Sequence, residues 1–209
     1  MGVVGLVMVA IVVGIAADGR YRQRVADWAA GQGWAYQNGG GGPWTKQLDQ
    51  GFVHGVKFQL EGARRGRRVL VAHWWFKTRR STYTRGEWES ETETHDRMVA
   101  VVRLPTSYMH VRVERRGGGS RLARSLGLRD PAAVGHAAFD RDFRIRGDDA
   151  VQGRRLFTRQ LIEAHLAGHV PLWSVRGPFL MTAWEGKVDP AKILARVDLL
   201  LDVADLLRQ

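Results

Sequence analysis

Sixteen consecutive residues, Gly2 to Ala17, carry no charge, and Asp18, Arg20, Arg22 and Arg24 follow at once. As one helix the run spans about 24 Å at 1.5 Å per residue, a little short of a roughly 30 Å hydrocarbon core. Arginines just beyond it can snorkel to the headgroups and make up the difference. The run therefore reads as a single-pass transmembrane helix, and attachment to the membrane through residues 2–17 constrains everything after it. A secretory signal needs a basic stretch ahead of its apolar run, and only Met1 and Gly2 precede Val3. The arginines after the run outweigh the α-amino group before it, so the positive-inside rule puts residues 20–209 in the cytoplasm. Gly14-Ile15-Ala16 supplies small residues at a candidate cleavage point, which keeps an exported envelope protein as the alternative.

About 190 residues remain after the anchor, enough for one substantial core or two small ones. The chain is 44% hydrophobic with eight tryptophans, a globular composition rather than a disordered one. It has no cysteine, which removes disulfides, thiolate nucleophiles and cysteine-based metal sites. The net charge of +11 is uneven: residues 1–160 carry a balance of +12 and residues 161–209 a balance of −1. Arginines outnumber lysines 27 to five, as a GC-rich coding sequence would produce. Attraction to anionic lipid or another polyanion would produce the same excess.

Along the chain, Arg20 to Ala30 continues as a helix, with Tyr21 and Trp28 suited to the membrane interface. Gly31 and Gly33 end it before a short strand at Trp34-Ala35-Tyr36. The four glycines at 39–42 belong to a loop, followed by a turn around Trp44 to Leu48. Phe52 to Glu61 alternates as a half-buried strand. Gly62 to Gly66 is a turn, and Arg67 to Thr78 is apolar on both parities, as a central strand requires. Arg79 to Thr94 is polar and reads as a long solvated hairpin arm. Arg97 to Leu104 is the next strand, stopped by Pro105, and Met109 to Arg115 another. Short connections favour an antiparallel meander. Arg121 to Leu126 is a short helix or turn, and Phe139 to Arg146 a strand with Phe143 and Ile145 inward. Asp148 and Asp149 cap a helix running to about Leu166, with Gly168 as its stop. Leu172 to Val175 and Phe179 to Trp184 form a hairpin around Gly177-Pro178. Asp189-Pro190 starts the last helix. It carries Ile193, Leu194, Val197, Leu200, Leu201, Ala204 and Leu207 on one face and Asp198, Asp202 and Asp205 on the other.

No motif assigns a catalytic residue. His165 and His169 beside Glu163 lose their shared helical face at Gly168, and no further ligands complete a metal site. His95-Asp96 resembles a metal-dependent phosphohydrolase dipeptide but enters a strand. There is no Gly-x-Ser-x-Gly elbow, and the glycine runs lack a phosphate-loop ending. Glu87, Glu89, Glu91 and Glu93 fall on one face of an extended strand, the pattern of a solvated edge. Trp74 and Trp75 lie between arginine clusters, but a two-sided strand makes them core residues, so nucleic acid is not expected. What remains is basic surface for anionic lipid or an acidic protein: Arg20, Arg22 and Arg24, and the cluster Arg64, Arg65, Arg67 and Arg68.

The order of several segments resembles a family of uncharacterised actinobacterial proteins with one N-terminal transmembrane helix and a conserved soluble domain. The matching residues are Ala26-Asp27-Trp28-Ala29-Ala30 leading to Gly33-Trp34-Ala35-Tyr36, Arg68-Val69-Leu70-Val71-Ala72, and Thr94-His95 followed by Val99 to Pro105. Arg121 to Leu128, Phe139 to Arg146, Asp189-Pro190 and Leu194 to Leu200 complete them. The resemblance implies the architecture and adds no activity, cofactor or site residue.

The expected organisation is an anchor at 1–18, a juxtamembrane helix at 19–32 and an α+β domain at 33–209. Its antiparallel sheet is packed by two main helices. A membrane-anchored, non-enzymatic binding or scaffolding role is expected, without cofactor or metal. An enzyme with a dispersed site around His73, His95 and His110 is the competing reading.

Overall fold

The computed structural model describes residues 18–48, 51–84, 87–116, 132–186 and 189–207. The expected anchor and the expected turn at Arg121 to Leu126 lie outside the described residues. Among the described residues no helix is long and apolar enough to cross a membrane.

The fold is α+β. Residues 18–31 form helix α1. Four strands follow in antiparallel order: β1 (Ala35–Asn38), β2 (Val53–Arg64), β3 (Arg67–Thr84) and β4 (Glu87–Arg115). A 3-10 turn at Pro43–Gln47 separates β1 from β2. Helix α2 (Ala137–Asp142) leads into β5 (Phe143–Gly147). The short α3 (Ala150–Gly153) and α4 (Arg159–Leu166) precede β6 (Ser174–Glu185), and α5 (Ile193–Leu206) closes the fold.

β4 organises the sheet. Its first half pairs with β3 from Glu87 to Val102, and its last residues, Val111 to Arg115, pair with β5. β6 runs along the other edge from Arg97 to Arg112. Pro105 was expected to stop a strand, yet β4 continues through it as a single strand of 29 residues. The reason is local: the β3 pairing ends at Val102, the β6 pairing is interrupted between Arg103 and Tyr108, and β5 begins only at Val111. A residue without an N–H costs nothing where no ladder asks for one. Gly177-Pro178 lies across the same gap. It was expected to turn a hairpin, but Gly177 at φ +57° bends one continuous β6 instead.

Two further expectations change. Phe139 to Asp142 is helical because His136 caps Phe139 N–H, while Asp140 accepts from the Val134 and Gly135 amides. Phe143 and Ile145 do point inward on β5. The expected helix from Asp149 to Leu166 is broken at Phe157, and Thr158 caps α4 afresh.

The main core lies between the sheet and the helices. From β3 it takes Val69, Val71 and His73, from β4 Met98, Ala100 and Val102, and from α5 Val197, Leu200, Leu201 and Ala204. Helix α1 contributes Tyr21, Val25 and Ala29 to this core. The interfacial role expected for Tyr21 is therefore corrected: its ring is buried against Phe58 and His73. Trp28 is half-buried, edge-on to Trp34. The other face of the sheet has a smaller cluster, with Trp44 and Leu48 of the 3-10 turn over Ala72, Trp74, Phe76, Val99, Val101 and Met181.

Candidate functional site

The arginines expected to meet anionic surface separate into two groups. α1 runs antiparallel to β1, with Tyr21 at the level of Phe58 and His73 and its last turn beside Trp34, which lies over Gly62. Arg20, Arg22 and Arg24 thus lie at one end of α1, and the β2–β3 hairpin carrying Arg64 to Arg68 lies at the other. Arg20 and Arg24 are exposed, while Arg22 pairs with Asp18 at 2.8 Å. In the hairpin, Arg64 forms a bidentate pair with Asp198 (2.9 and 2.7 Å), and Arg65 bridges Asp202 and Asp205 at 2.7 Å each. Arg67 also binds Asp205. The three aspartates of α5, expected opposite its buried face, stand one helical turn apart and meet these arginines instead of water alone. Asp198 is held below the usual carboxylate range by the Arg64 hydrogen bonds. Arg68 is strongly exposed, with Glu61 4.0 Å away.

The histidines of the competing enzymatic reading fall in three places. His73 is buried on the α1 face, where its Nε2 lies 2.8 Å from Asp96 Oδ1, and Lys57 Nζ reaches the same oxygen at 2.7 Å. Burial lowers the His73 pKa despite Asp96. Burial acts to raise the Asp96 pKa, but the Lys57 and His73 hydrogen bonds outweigh it and leave it lowered. His73 is then a neutral imidazole that donates from Nε2, and its buried Nδ1 has no partner among the described residues. His95 projects from the opposite face, stacked on Phe76 at 4.7 Å and bonded to Thr78 at 2.8 Å. His110 sits near Asp148, 3.6 Å away, towards the β5 end of β4. No three of the described His, Asp and Glu side chains could hold a metal ion together.

Two grooves open on the sheet face away from the helices. The 3-10 turn is pinned across it: Gln47 donates to Phe179 O (3.1 Å), Ser174 Oγ donates to Gln47 Oε1 (2.9 Å), and Arg112 donates to Gln47 O (2.8 Å). On one side of the turn lies a groove of about 490 Å³, floored by Trp44, Leu70, Val101 and Phe179 and rimmed by Arg68, Arg103 and Glu61. On the other side a more polar groove of about 330 Å³ runs past Leu48, Arg97, Arg112 and Glu114. Trp44 Nε1 is buried without a partner among the described residues. An apolar floor with an arginine rim can hold a ligand. Among the described residues that line it, no nucleophile has a base beside it, the pair that covalent chemistry needs. Sequence reasoning missed this groove, since alternation reports that one face of Leu70 and Val101 is apolar but not that, among the described residues, the 3-10 turn covers that face only in part.

No family model matches the chain, and no curated protein matches it. Among solved structures, the crystal structure of the mycobacterial trehalose monomycolate transport factor A, TtfA, superposes with a TM-score of 0.54 at 16% identity. The match covers 90% of this chain and 94% of that one. The two proteins share a fold. The α+β architecture agrees with that neighbour.

Proposed function

We propose that this chain is a membrane-anchored, non-enzymatic accessory or scaffolding protein of the cell envelope, with its α+β domain on the cytoplasmic side. The observation that carries the reading is the fold shared with a transport factor over nearly the whole of both chains. The scattering of His73, His95 and His110 supports binding over catalysis. The apolar run at residues 2–17 and the arginines after it support the anchor and its orientation. On this reading residues 1–18 tether the molecule, the exposed arginines meet anionic lipid or an acidic partner, and the groove beside Trp44 takes a ligand with an apolar portion.

Topology and processing test it directly. The chain has no cysteine, so one appended after Gln209 is a unique target for a membrane-impermeant maleimide. The expected result is labelling only after lysis, on a membrane-bound protein whose intact mass retains residues 1–17. Labelling in intact cells would reverse the orientation. Loss of the apolar run from a released protein would replace the anchor with an exported domain.

A further inference from the structure

The β3–β4 hairpin outruns the rest of the sheet. β2 leaves β3 at Lys77, and β6 leaves β4 at Arg97, whereas β3 and β4 stay paired with each other to Thr84 and Glu87. Among the described residues, the two strands therefore project alone from Thr78 and Glu93 outward, about 20 Å at 3.3 Å per residue. The described side chains from Arg79 to Tyr83 and from Trp88 to Thr94 are all exposed.

The two faces of this arm differ in chemistry. Strand alternation and the register put Lys77, Arg79, Ser81 and Tyr83 on one face with Trp88, Ser90, Thr92 and Thr94. Arg80 falls on the other face with Glu89, Glu91 and Glu93. The first face carries cations and aromatic rings and no carboxylate. Near its base Arg79 lies 5.1 Å over the ring of Phe52, itself exposed. Close to its outer end Tyr83 and Trp88 lean together at 5.2 Å, 61% and 73% exposed. A side-chain pair that large is normally hidden, and among the described residues no core lies beneath the arm to cover those rings.

The basic, aromatic face continues the side of the sheet that α1 covers, since His73 and Trp75 share its parity on β3. α1 begins at that end too: Tyr21 touches His73, and Asp18 acts electrostatically on the same imidazole. The apolar run of residues 2–17 therefore joins the domain at the end from which the arm projects. We infer that this face of the arm is a second membrane contact: Tyr83 and Trp88 lie in the headgroup region, and Lys77 and Arg79 meet anionic lipid. Aromatic side chains with one polar edge settle at that depth, and basic side chains beside them add attraction to an anionic leaflet. The glutamates of the other face are repelled by the same surface, so the arm lies on the bilayer one way up. The inference rests on the anchor reading of residues 2–17.

The test uses the full chain with Ser90→Cys, labelled with an environment-sensitive fluorophore and reconstituted into phosphatidylcholine vesicles with and without phosphatidylglycerol. His169→Cys, exposed beyond α4 near the other end of the sheet, carries the same dye as the control. We expect the Ser90 label to shift to the blue and to lose intensity to nitroxide lipids, more so with phosphatidylglycerol, while the His169 label stays in water. The double variant Tyr83→Ser/Trp88→Ser, which removes only exposed rings, should abolish both effects without changing the thermal midpoint. A chain that floats with vesicles while both labels stay in water overturns the arm contact and leaves the anchor standing. A chain that does not float overturns the anchor and the arm contact together. A Ser90 label indifferent to pure lipid but shielded in native membranes would make the arm a protein-docking element and also overturn the inference.

Discussion

His165 is a titratable side chain held among rings. Its imidazole packs against Phe139, Phe143 and Phe157, and its Nε2 accepts the Trp173 indole N–H at 3.0 Å. Burial lowers its pKa to about 4, against about 6.5 in an unfolded chain. Above the unfolded value both states are neutral and the site adds no pH dependence. Below it the unfolded state takes up a proton that the folded state refuses, so stability falls as pH drops from about 6.5 towards 4. Each pKa unit is worth about 1.4 kcal/mol, so the loss amounts to roughly 2–3 kcal/mol. His73, with its pKa also lowered by burial, pushes in the same direction. Urea denaturation of the full chain in detergent at pH 7.5, 5.5 and 4.5 should show this decline, and His165→Phe should flatten it while lowering stability at neutral pH. That second effect follows because the Trp173 N–H would be left buried without an acceptor. At this scale the sequence was partly legible. The helix-terminal position of His165 was evident, but its role depends on Trp173 and on rings from α2 and β5, which no local spacing reveals. The Lys57–Asp96–His73 group needed a bulge between Val56 and Phe58 that brings Lys57 onto the α1 face, and no residue type announced it.

Elements are locked together here by close approach as much as by apolar area. Trp34 lies flat over Gly62 of β2, so near that a Cβ on Gly62 would stand 2.4 Å from the indole ring. Trp34 is buried and edge-on to Trp28, so its ring cannot step aside without moving α1. Gly62→Ala should therefore cost about 1–3 kcal/mol, the usual penalty for forcing extra atoms into a filled site, read as a lower urea midpoint with an unchanged slope. The β2–β3 hairpin makes the electrostatic counterpart, with Arg64, Arg65 and Arg67 clamped to Asp198, Asp202 and Asp205. These pairs are open to solvent and screened by salt, so each adds little to stability on its own. Changing all three aspartates to asparagine should lower the melting midpoint at low ionic strength, and the gap from wild type should narrow in high salt. Gly62 could be read from the sequence as part of a turn. It is in fact a strand residue chosen for the tryptophan above it, and the turn proper is Arg65-Gly66. The final helix was legible because its apolar stripe and Asp189-Pro190 start are local. The continuity of β4 through Pro105 and of β6 through Gly177-Pro178 was not, since each breaker is tolerated only because the other strand's ladder is interrupted at the same height.

For the whole molecule, the position of α1 decides how the chain ahead of it is coupled to the sheet. A helix that merely linked an anchor to a domain could be removed without harm, and the sequence suggested such a boundary near residue 32. In the folded chain Tyr21, Val25 and Ala29 are buried in the main core, where Tyr21 packs against Phe58 and His73. Burying a tyrosine-sized or valine-sized side chain is worth roughly 1.5–3 kcal/mol, and a domain has only about 5–15 kcal/mol of net stability. Losing α1 would also open the apolar underside of the sheet to water. A fragment of residues 33–209 is therefore expected to melt without a cooperative transition and to bind a hydrophobic dye, whereas residues 18–209 should melt as one unit. Equal, cooperative midpoints for the two fragments would show α1 to be an appendage. If the expected difference is found, whatever holds residues 2–17 also holds the sheet. On the proposed anchor reading, the arm, the exposed arginines at the start of α1 and the groove beside Trp44 then keep set orientations to the membrane. The scaffolding role proposed above needs such fixed presentation of its surfaces, and a freely swinging domain could not supply it.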